Sequence, residues 1–583
     1  MMRRAAKRVP PLPTTDCRPR TQTRVRVEGA AAQALETGRT RLLVAGVVFA
    51  LAFMVIGWRL LDVALLTRGY EPRIAAPSHA PGLAAGRADI VDRNGILLAS
   101  TLPAASLYAN PHEVQNAAAT ARRLAAVLPE LSESEVRTRL SADRAFTWLK
   151  RDLTPRQQYE VNRLGLPGLH FRREQRRVYP LGSLTAHVVG FTDIDTNGLA
   201  GIEKSFDDVL RGASEPLQLS LDVRVQHILT RELSAAMTEF RGIGAAGLVM
   251  DARTGEILAM VSLPTFDPDQ PGSASEDARF NRASLGVYEM GSVFKIFTTA
   301  MALDAGVVTL DDGYDVSQPI HVARFTITDF KPKGGWLSVP EIFMYSSNIG
   351  TVHMAVAAGT ALQRRYLERL GLTRASGVEL SEVGQPMLPS PWREINTMTV
   401  AYGHGIAVTP VQLTDAVAAV VNGGELHPAT LLKRSGDAAA PGKRVVRQRT
   451  SLEMRQLMRL VVRHGTGRKA NAPGLMLGGK TGTADKLVNG RYVRNARIAS
   501  FVGAFPMNDP RYVVFAMVDE PKGTKETYGY ATGGWVAAPV VGRVAEAIAP
   551  LLGVAPVRDE APDAGTEQLL VRAKARAERI AAN

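Results

Sequence analysis

The feature that most constrains this chain is an uncharged apolar run that follows a strongly basic N-terminal tail. Residues 42–58 carry no charge, and apolar residues continue to Leu66 with only Arg59 and Asp62 among them. Twenty helical residues at ~1.5 Å each span about 30 Å, one hydrocarbon thickness of a bilayer. The run therefore predicts a transmembrane helix over 42–66. A buried soluble helix and a cleavable signal peptide are the alternatives.

Much of the net charge lies before this run. The formal net charge is +14 at pH 7, and the first 41 residues hold ten basic and three acidic side chains. Short basic flanks stay on the cytoplasmic side of a membrane, so residues 1–41 are predicted to be a cytoplasmic tail. In a Gram-negative bacterium, this topology gives a single-pass protein of the inner membrane with a periplasmic body. The lipid bilayer is then a partner, and the nearly balanced body predicts no nucleic-acid partner.

Composition excludes several other classes of protein. Apolar residues make up 45% and charged residues 22% of the chain, which excludes a disordered or fibrous chain. The single cysteine, Cys17, excludes an intrachain disulfide and a thiolate zinc site. The ten histidines show no H-E-x-x-H spacing, so no metal or cofactor is predicted.

The predicted exported part divides near residue 216. Residues 67–216 form the first region, which begins with an Ala-, Pro- and Gly-rich linker and contains a hairpin signal at Asn94-Gly95. Residues 115–165 are predicted to be helical. The arginines at 172, 173, 176 and 177 favour a solvated strand or ion pairs over nucleic-acid contact.

The second region is predicted over 217–553. It opens with a strand at 217–222 and an amphipathic helix at 223–240. A strand pair follows at 245–250 and 256–261. Residues 554–583 alternate alanine with charge after two prolines and are predicted to be a flexible tail.

Three short motifs carry the chemistry of this second region. The first is Gly291-Ser-Val-Phe-Lys295, followed by an apolar stretch that ends at Gly306. This pattern predicts a buried helix on which Ser292 and Lys295 lie one turn apart. A lysine with a lowered pKa can activate a serine nucleophile. Taken alone, however, the spacing is common and is also met by a capping serine with an exposed lysine.

The second motif is Ser346-Ser-Asn348. A hydroxyl beside an amide can relay a proton and bind an amide substrate. Alone, such a sequence is more often a turn.

The third motif is Gly479-Lys-Thr-Gly-Thr483. If this segment is a strand, it carries Lys480 and the hydroxyls of Thr481 and Thr483. It also contains a glycine, which allows a substrate backbone to approach closely. Lys480, Thr481 and Thr483 can bind a carboxylate. Backbone N–H groups on this strand and at the start of the Ser292 helix can form an oxyanion hole.

Lys480 also lies in a match to the phosphate-loop pattern, Gly474-x4-Gly479-Lys480-Thr481. A phosphate loop follows a buried strand and opens a helix. Here Asn471-Ala-Pro precedes the match and a hairpin signal, Asn489-Gly490, follows it. An ATPase is therefore disfavoured.

The three motifs together resemble those of the class B penicillin-binding proteins. Within that family, the chain is most similar to the cell-division peptidoglycan D,D-transpeptidases of Gram-negative bacteria, the penicillin-binding protein 3 type. The resemblance covers roughly residues 40–550. It also includes segments outside the motifs: 87–99, 108–111, 177–180, 187–190, 201–203, 402–405, 409–410 and 422–424. Met290 departs from the family, since many relatives have proline there.

This resemblance implies an α+β fold. An antiparallel sheet flanked by helices would form the transpeptidase domain, on an elongated pedestal domain behind one transmembrane helix. Ser292 would attack the bond between the last two D-alanines of a peptidoglycan stem peptide, and Lys295 would take its proton. Ser346 would relay protons and Asn348 would hold the substrate amide. Lys480, Thr481, Gly482 and Thr483 would bind the terminal carboxylate and complete the oxyanion hole. β-Lactams would acylate Ser292, no cofactor is implied, and a SEDS-type glycosyltransferase and other divisome membrane proteins would be partners.

Several alternatives stay open at this point. An elongation or sporulation paralogue shares the motifs, and a non-enzymatic divisome scaffold shares the architecture. A secreted β-lactamase is about half this size, and the pedestal argues against a D,D-carboxypeptidase. The short tail argues against a β-lactam sensor. The absence of a G-x-S-x-G elbow argues against a Ser-His-Asp hydrolase.

Overall fold

The chain divides into two compact units, Met1–Gly82 and Leu83–Asn583. The computed structural model describes residues 30–61, 86–322, 325–434, 442–488, 491–557, 568–570 and 572. In the first unit it describes one helix, α1 (Ala30–Leu61), which begins before the apolar run. A search of the described helices finds none that is both long and apolar enough to cross a membrane. The predicted span over 42–66 is therefore not confirmed.

The second unit mixes helices and strands. Its helices are α2 (Ala117–Val127), α3 (Glu133–Leu140), α4 (Pro155–Arg163), α5 (Ala186–Val189), α6 (Gly201–Ser205), α7 (Asp207–Gly212), α8 (Val223–Glu239), α9 (Glu276–Arg279), α10 (Lys295–Asp304), α11 (Val339–Tyr345), α12 (Asn348–Ala358), α13 (Thr360–Arg369), α14 (Glu394–Val400), α15 (Pro410–Val421), α16 (Gln448–Arg463) and α17 (Gly533–Ile548). Its strands are β1 (Ile90–Val91), β2 (Leu97–Ala109), β3 (Thr147–Leu153), β4 (Leu169–Val178), β5 (Leu217–Gln218), β6 (Gly244–Asp251), β7 (Ile257–Leu263), β8 (Gly313–Asp315), β9 (Ile320–Val322), β10 (Phe325–Ile327), β11 (Trp336–Ser338), β12 (Glu425–Leu426), β13 (Lys443–Arg444), β14 (Gly478–Val488), β15 (Arg491–Phe505) and β16 (Tyr512–Asp519).

A five-stranded antiparallel sheet forms the centre of the catalytic half, in the order β14-β15-β16-β6-β7. Alternate residues of its strands enter two hydrophobic clusters, as the period of two in a strand requires. Helices α8 and α17 cover one face, and α10, α15 and α16 cover the other. The predicted α+β architecture, an antiparallel sheet between helices, is confirmed.

A second sheet lies in the N-terminal part of this unit, with β3-β2-β1-β5 in order and β4 paired to β2. The hairpin predicted at Asn94-Gly95 joins β1 to β2, and Gly95 has φ +85°, which glycine adopts without strain. The helical prediction for 115–165 holds for α2, α3 and α4. It is wrong for β3, which pairs with β2.

The arginines on β4 differ in their burial. Arg172 and Arg173 are exposed, whereas Arg177 is buried and donates to Glu203 Oε1 at 2.7 Å. Arg87 donates to the other oxygen of Glu203, at 2.5 Å. The side chains of Arg87, Arg177 and Glu203 are at most 1% exposed, and Arg87 also pairs with the partly exposed Asp207. These three buried side chains therefore form an internal ion-pair network.

The short strands β8–β11 fill the sequence between α10 and α11. Strand β9 pairs with β10 and β8 pairs with β11. The segment after β10, residues 328–335, is followed by β11 and then by α11, the helix that ends at the second motif. Of the predicted flexible tail over 554–583, most lies outside the described residues.

Candidate active site

The turn that carries Ser292 is held against β14 by close backbone contact. Residues Gly291–Phe294 form a 3-10 turn and α10 begins at Lys295. Gly291 has φ +52°, and a Cβ there would lie 2.6 Å from the carbonyl oxygen of Thr483. Only glycine allows this approach. Ser292 is half-buried, so it lies at a partly open surface on a turn that packs against β14.

Lys295 is fully buried one turn after Ser292 and reaches the second motif. Its Nζ donates to Ser346 O at 2.6 Å, to Asn348 Oδ1 at 2.7 Å and to Ser346 Oγ at 3.2 Å. A neutral amine has two N–H groups and a lone pair. The two short contacts can take both N–H groups, which leaves the lone pair to accept a proton.

Lys480 is also fully buried, on β14, and approaches the same hydroxyl from the other side. Its Nζ donates to Ser346 Oγ at 2.8 Å. Burial lowers the pKa of Lys480 to about 7. Burial, followed by the charge of Lys480, holds the pKa of Lys295 well below its usual value, while Asp329 acts in the opposite direction. Both amines therefore lose a proton more readily than an exposed lysine does, and Lys480 can act as a base near neutral pH.

The second motif forms the junction between α11 and α12. Ser346 ends α11 in the left-handed region, with φ +62° and ψ +43°. This conformation directs both its carbonyl and its hydroxyl oxygen toward the lysines. Ser347 caps α12 by accepting from Gly350 N at 3.0 Å. The motif is thus a helix junction that contacts two lysines, and not only the turn that such a sequence more often forms.

The third motif lies on β14 with little space around it. A Cβ on Gly482 would lie 2.4 Å from Ser500 Oγ and 2.6 Å from Met290 O. The hydroxyls of Thr466 and Thr481 are 2.8 Å apart, and Gly533 N donates to Thr483 Oγ1 at 3.1 Å. The two threonine hydroxyls are thus fixed by neighbours from outside the strand.

Asp329 is a site residue that the sequence analysis missed. Its carboxylate accepts from Ser347 Oγ at 2.7 Å, from Ile349 N at 3.1 Å and from the backbone N–H of Asn348. A carboxylate at a helix N-terminus satisfies unpaired N–H groups and the helix dipole. The helix start at Ser347 could have signalled a need for such a group, but not which distant acid supplies it.

Glu289, just before the Ser292 turn, was also missed. It accepts from Gly405 N at 2.9 Å and from Tyr492 Oη at 3.0 Å, and its other oxygen lies 3.0 Å from His404 Nδ1. The segment 402–405 had been noted only as a resemblance. Glu289 thus ties that segment and β15 to the start of the catalytic turn.

The phosphate-loop interpretation of Gly474–Thr481 is wrong. Residues from Gly478 onward form β14, which pairs along its length with β15. A phosphate loop would instead open a helix at this point.

The structure thus connects Lys295, Ser346, Asn348 and Lys480 through hydrogen bonds, and it holds the Ser292 turn against Thr483. A half-buried hydroxyl, two amines of lowered pKa and fixed backbone N–H groups are the components of serine acyl transfer. The site defines a serine acyltransferase of the penicillin-recognising class.

Comparison with known proteins extends this assignment. Residues 245–546 match the family described as "Penicillin binding protein transpeptidase domain", and residues 83–236 match "Penicillin-binding Protein dimerisation domain". The chain belongs to the penicillin-binding protein transpeptidase family.

Similar proteins share most of this length. The probable peptidoglycan D,D-transpeptidase FtsI of Caulobacter vibrioides is 42% identical over 82% of this chain and 83% of its own. The peptidoglycan D,D-transpeptidase FtsI of Escherichia coli is 29% identical over 89% of this chain and 92% of its own. Stage V sporulation protein D of Bacillus subtilis is 33% identical over 90% of this chain and 88% of its own. A crystal structure of penicillin-binding protein 3 of Mycobacterium tuberculosis with aztreonam is similar with TM-score 0.65 and 26% identity, covering 81% of this chain and 97% of the other.

Proposed function

We propose that this protein is a septal peptidoglycan D,D-transpeptidase that cross-links stem peptides through an acyl-enzyme on Ser292. The observation that carries the proposal is the pair of buried lysines, Lys295 and Lys480, whose amines meet at Ser346 Oγ beside the Ser292 turn. Two fully buried amines so close together favour the neutral form of at least one. That form is the base that a serine nucleophile needs.

The reaction follows from these positions. Ser292 Oγ forms a bond to the carbonyl carbon between the last two D-alanines, and its proton passes to Lys295 Nζ. The C–N bond then breaks, and the proton reaches the leaving amine of D-alanine through Ser346, which lies between the two lysines. An amine of a second stem peptide then forms a bond to the ester carbon, and the C–O bond to Ser292 breaks. The proton that the amine loses returns through Lys295 to Ser292 Oγ, which restores the serine and completes the cross-link. β-Lactams acylate Ser292 in the same way.

The tetrahedral oxyanion needs two fixed donors. The backbone N–H groups of Ser292 and Thr483 take this role, because Gly291 lies in contact with Thr483. Thr481 and Thr483 bind the terminal carboxylate of the donor peptide, with Gly482 providing the space for its backbone. Lys480 adds positive potential whenever it is protonated. Asn348, held at its side chain by Lys295 and Thr328 O, orients the substrate amide.

The remainder of the chain anchors the catalytic domain in the membrane and holds it on the side of the cell wall. Residues 1–41 form the cytoplasmic tail, 42–66 a transmembrane helix, 67–216 the pedestal, 217–553 the transpeptidase domain and 554–583 a flexible tail. The catalytic domain is periplasmic and anchored in the inner membrane. The uncharged run and its basic flank support this topology. A SEDS-type glycosyltransferase and other divisome proteins are its membrane partners.

The proposal is tested by labelling the purified protein with a fluorescent penicillin, beside Ser292→Ala and the matched variant Ser273→Ala, whose hydroxyl lies on an exposed 3-10 turn. Label is expected on the wild type and on Ser273→Ala, and none on Ser292→Ala. A product assay then detects cross-linked dimers. Equal label on Ser292→Ala, or hydrolysis without cross-links, would contradict the proposal.

The similarity to a sporulation protein leaves one specific alternative, a role outside division. Depletion in the source bacterium separates the two roles. Filamentation is expected for a septal enzyme. Normal division with a defect confined to elongation or to spores would assign the protein to a paralogous role. Complementation by Ser292→Ala would instead indicate a scaffold.

A further inference from the structure

A cluster of exposed aromatic rings lies at the start of α17. Tyr528 is 81% exposed and Tyr530 is 42% exposed. Their rings lie 6.1 and 6.3 Å from that of Trp535, and the ring of Tyr530 is nearly parallel to it, at 8°. Large exposed rings placed together provide apolar area for a ligand.

Two lysines border these rings from different parts of the sequence. Lys331 Nζ lies 5.5 Å from the ring centre of Tyr530, and Lys469 Nζ lies 4.1 Å from that of Trp535. In the part of the chain that the structure describes, neither amine forms an ion pair with a carboxylate. The nearby Glu526 is engaged by Thr524 within its own loop. We call Lys331, Lys469, Tyr528, Tyr530 and Trp535 the lysine–aromatic patch.

The patch is continuous with both walls of the catalytic site. On one side, Trp535 follows Gly533, whose N–H donates to Thr483 Oγ1 at 3.1 Å. On the other side, Lys331 follows Asp329, whose carboxylate holds Asn348 and Ser347. A peptide whose end lies on β14 would therefore extend past this patch.

We propose that the lysine–aromatic patch binds an acidic stretch of the donor peptide, upstream of its terminal D-alanines. The inference rests on the proposed function, because it takes the occupant to be the peptide whose terminal carboxylate lies on β14. The two ammonium groups have no carboxylate partner among the described residues, so they can pair with carboxylates of the donor peptide. The exposed rings can pack against the aliphatic parts of the same peptide. The patch thus selects peptides that carry free carboxylates over their amidated forms.

The test compares two synthetic peptides that end in D-Ala-D-Ala and differ only in a free glutamate carboxylate or its amide. Calorimetry on the purified protein is expected to give Kd values about 3- to 10-fold lower for the acidic peptide, as two partly exposed charge pairs allow. The difference is expected to shrink at high ionic strength. In the variant with Lys331→Met and Lys469→Met, the two peptides are expected to bind equally. Lys525→Met, at an exposed lysine of the same loop, keeps the preference.

The outcomes separate this inference from the proposed function. Equal binding of both peptides to the wild type, or an undiminished preference in the double variant, would overturn the inference even where penicillin labels Ser292. An acidic preference that the double variant loses would support it even if the wild type takes up no penicillin, a result that contradicts only the proposed function.

Discussion

The amine of Lys480 donates a 2.8 Å hydrogen bond to the hydroxyl of Ser346, the same hydroxyl that lies 3.2 Å from Lys295. The two lysines belong to separate elements, β14 and α10, and neither has solvent access. One serine thus connects two amines, and its hydroxyl provides a short hydrogen-bonded route between them. The arrangement depends on neutral amines, and this dependence can be tested.

Acylation of Ser292 is expected to slow as the pH falls through about 7. The pKa of Lys480 is lowered to about 7 and that of Lys295 is also lowered. Acid therefore protonates the amines and removes the base. Stopped-flow labelling with penicillin from pH 5.5 to 8.5 measures the effect, and the rate should drop about tenfold per unit on the acid side. Tryptophan fluorescence at each pH serves as the control for folding. A flat profile in folded protein would show that the ionisation of Lys480 does not control the rate.

Asp329→Asn is expected to slow acylation by about tenfold or more. The substitution weakens the acceptor for Ser347, Asn348 and Ile349, so the second motif loses its fixed position. It also removes the negative charge that raises the pKa of Lys295, so the acid limb of the rate should move to lower pH. Asp311→Asn, an exposed acid in the same segment, is the matched control. A slower rate with an unmoved pH profile would indicate a purely structural role.

Gly482→Ala is expected to abolish penicillin labelling and lower stability. Its Cβ would lie 2.4 Å from Ser500 Oγ and 2.6 Å from Met290 O, closer than side-chain carbons ever lie. The strand or the Ser292 turn must then shift, and overpacking of this kind costs about 1–3 kcal/mol. Gly272→Ala is the control, since nothing lies within 4 Å of its Cβ. Normal labelling of the Gly482 variant would mean that the turn and β14 can separate without loss of function.

Local patterns predicted much of this fold. The strand pair predicted at 245–250 and 256–261 corresponds to β6 and β7, the Asn94-Gly95 signal located the β1–β2 turn, and the stop at Gly306 located the end of α10. Each of these depends on neighbours in sequence. The spacing within each motif likewise identified Lys295 and Lys480 as candidate site residues.

What the sequence could not provide depends on contacts between distant segments. The local sequence of β3 predicts helix, whereas its pairing with the distant strand β2 determines its extended conformation. Asp329 is separated from Asn348 by β11 and α11, and nothing in its neighbourhood marks it as a capping group. The left-handed conformation of Ser346 is likewise imposed by its surroundings, since serine alone does not favour it.

Glu203→Gln is expected to destabilise the protein by about 3–5 kcal/mol, because the change removes the carboxylate paired with the buried Arg177 and leaves Arg87 paired with Asp207 alone. Glu203 accepts from Arg87 at 2.5 Å and from Arg177 at 2.7 Å, and its side chain is fully buried. The midpoint of urea unfolding measures the loss. Glu215→Gln, at an exposed position, should leave the midpoint unchanged. An unaltered midpoint for the Glu203 variant would mean that the arginines reach water or other partners.

Asp415→Asn is expected to stabilise the protein at pH 7.5 but not at pH 4.5. Asp415 lies on α15, where its Oδ1 is buried without a hydrogen-bond partner, and burial raises its pKa to about 7. The unfolded chain ionises this carboxyl from about pH 4, whereas the folded chain retains the proton until about pH 7. The free energy of unfolding therefore falls by up to ~1.4 kcal/mol for each pH unit across that interval. Above the interval it stays at this lower value. Asparagine does not titrate, so the variant avoids this loss. Thermal unfolding of wild type and variant at the two pH values measures the effect, with the exposed Glu546→Gln as control. A gain of the same size at both pH values would show that Asp415 is already ionised in the folded protein under acid conditions.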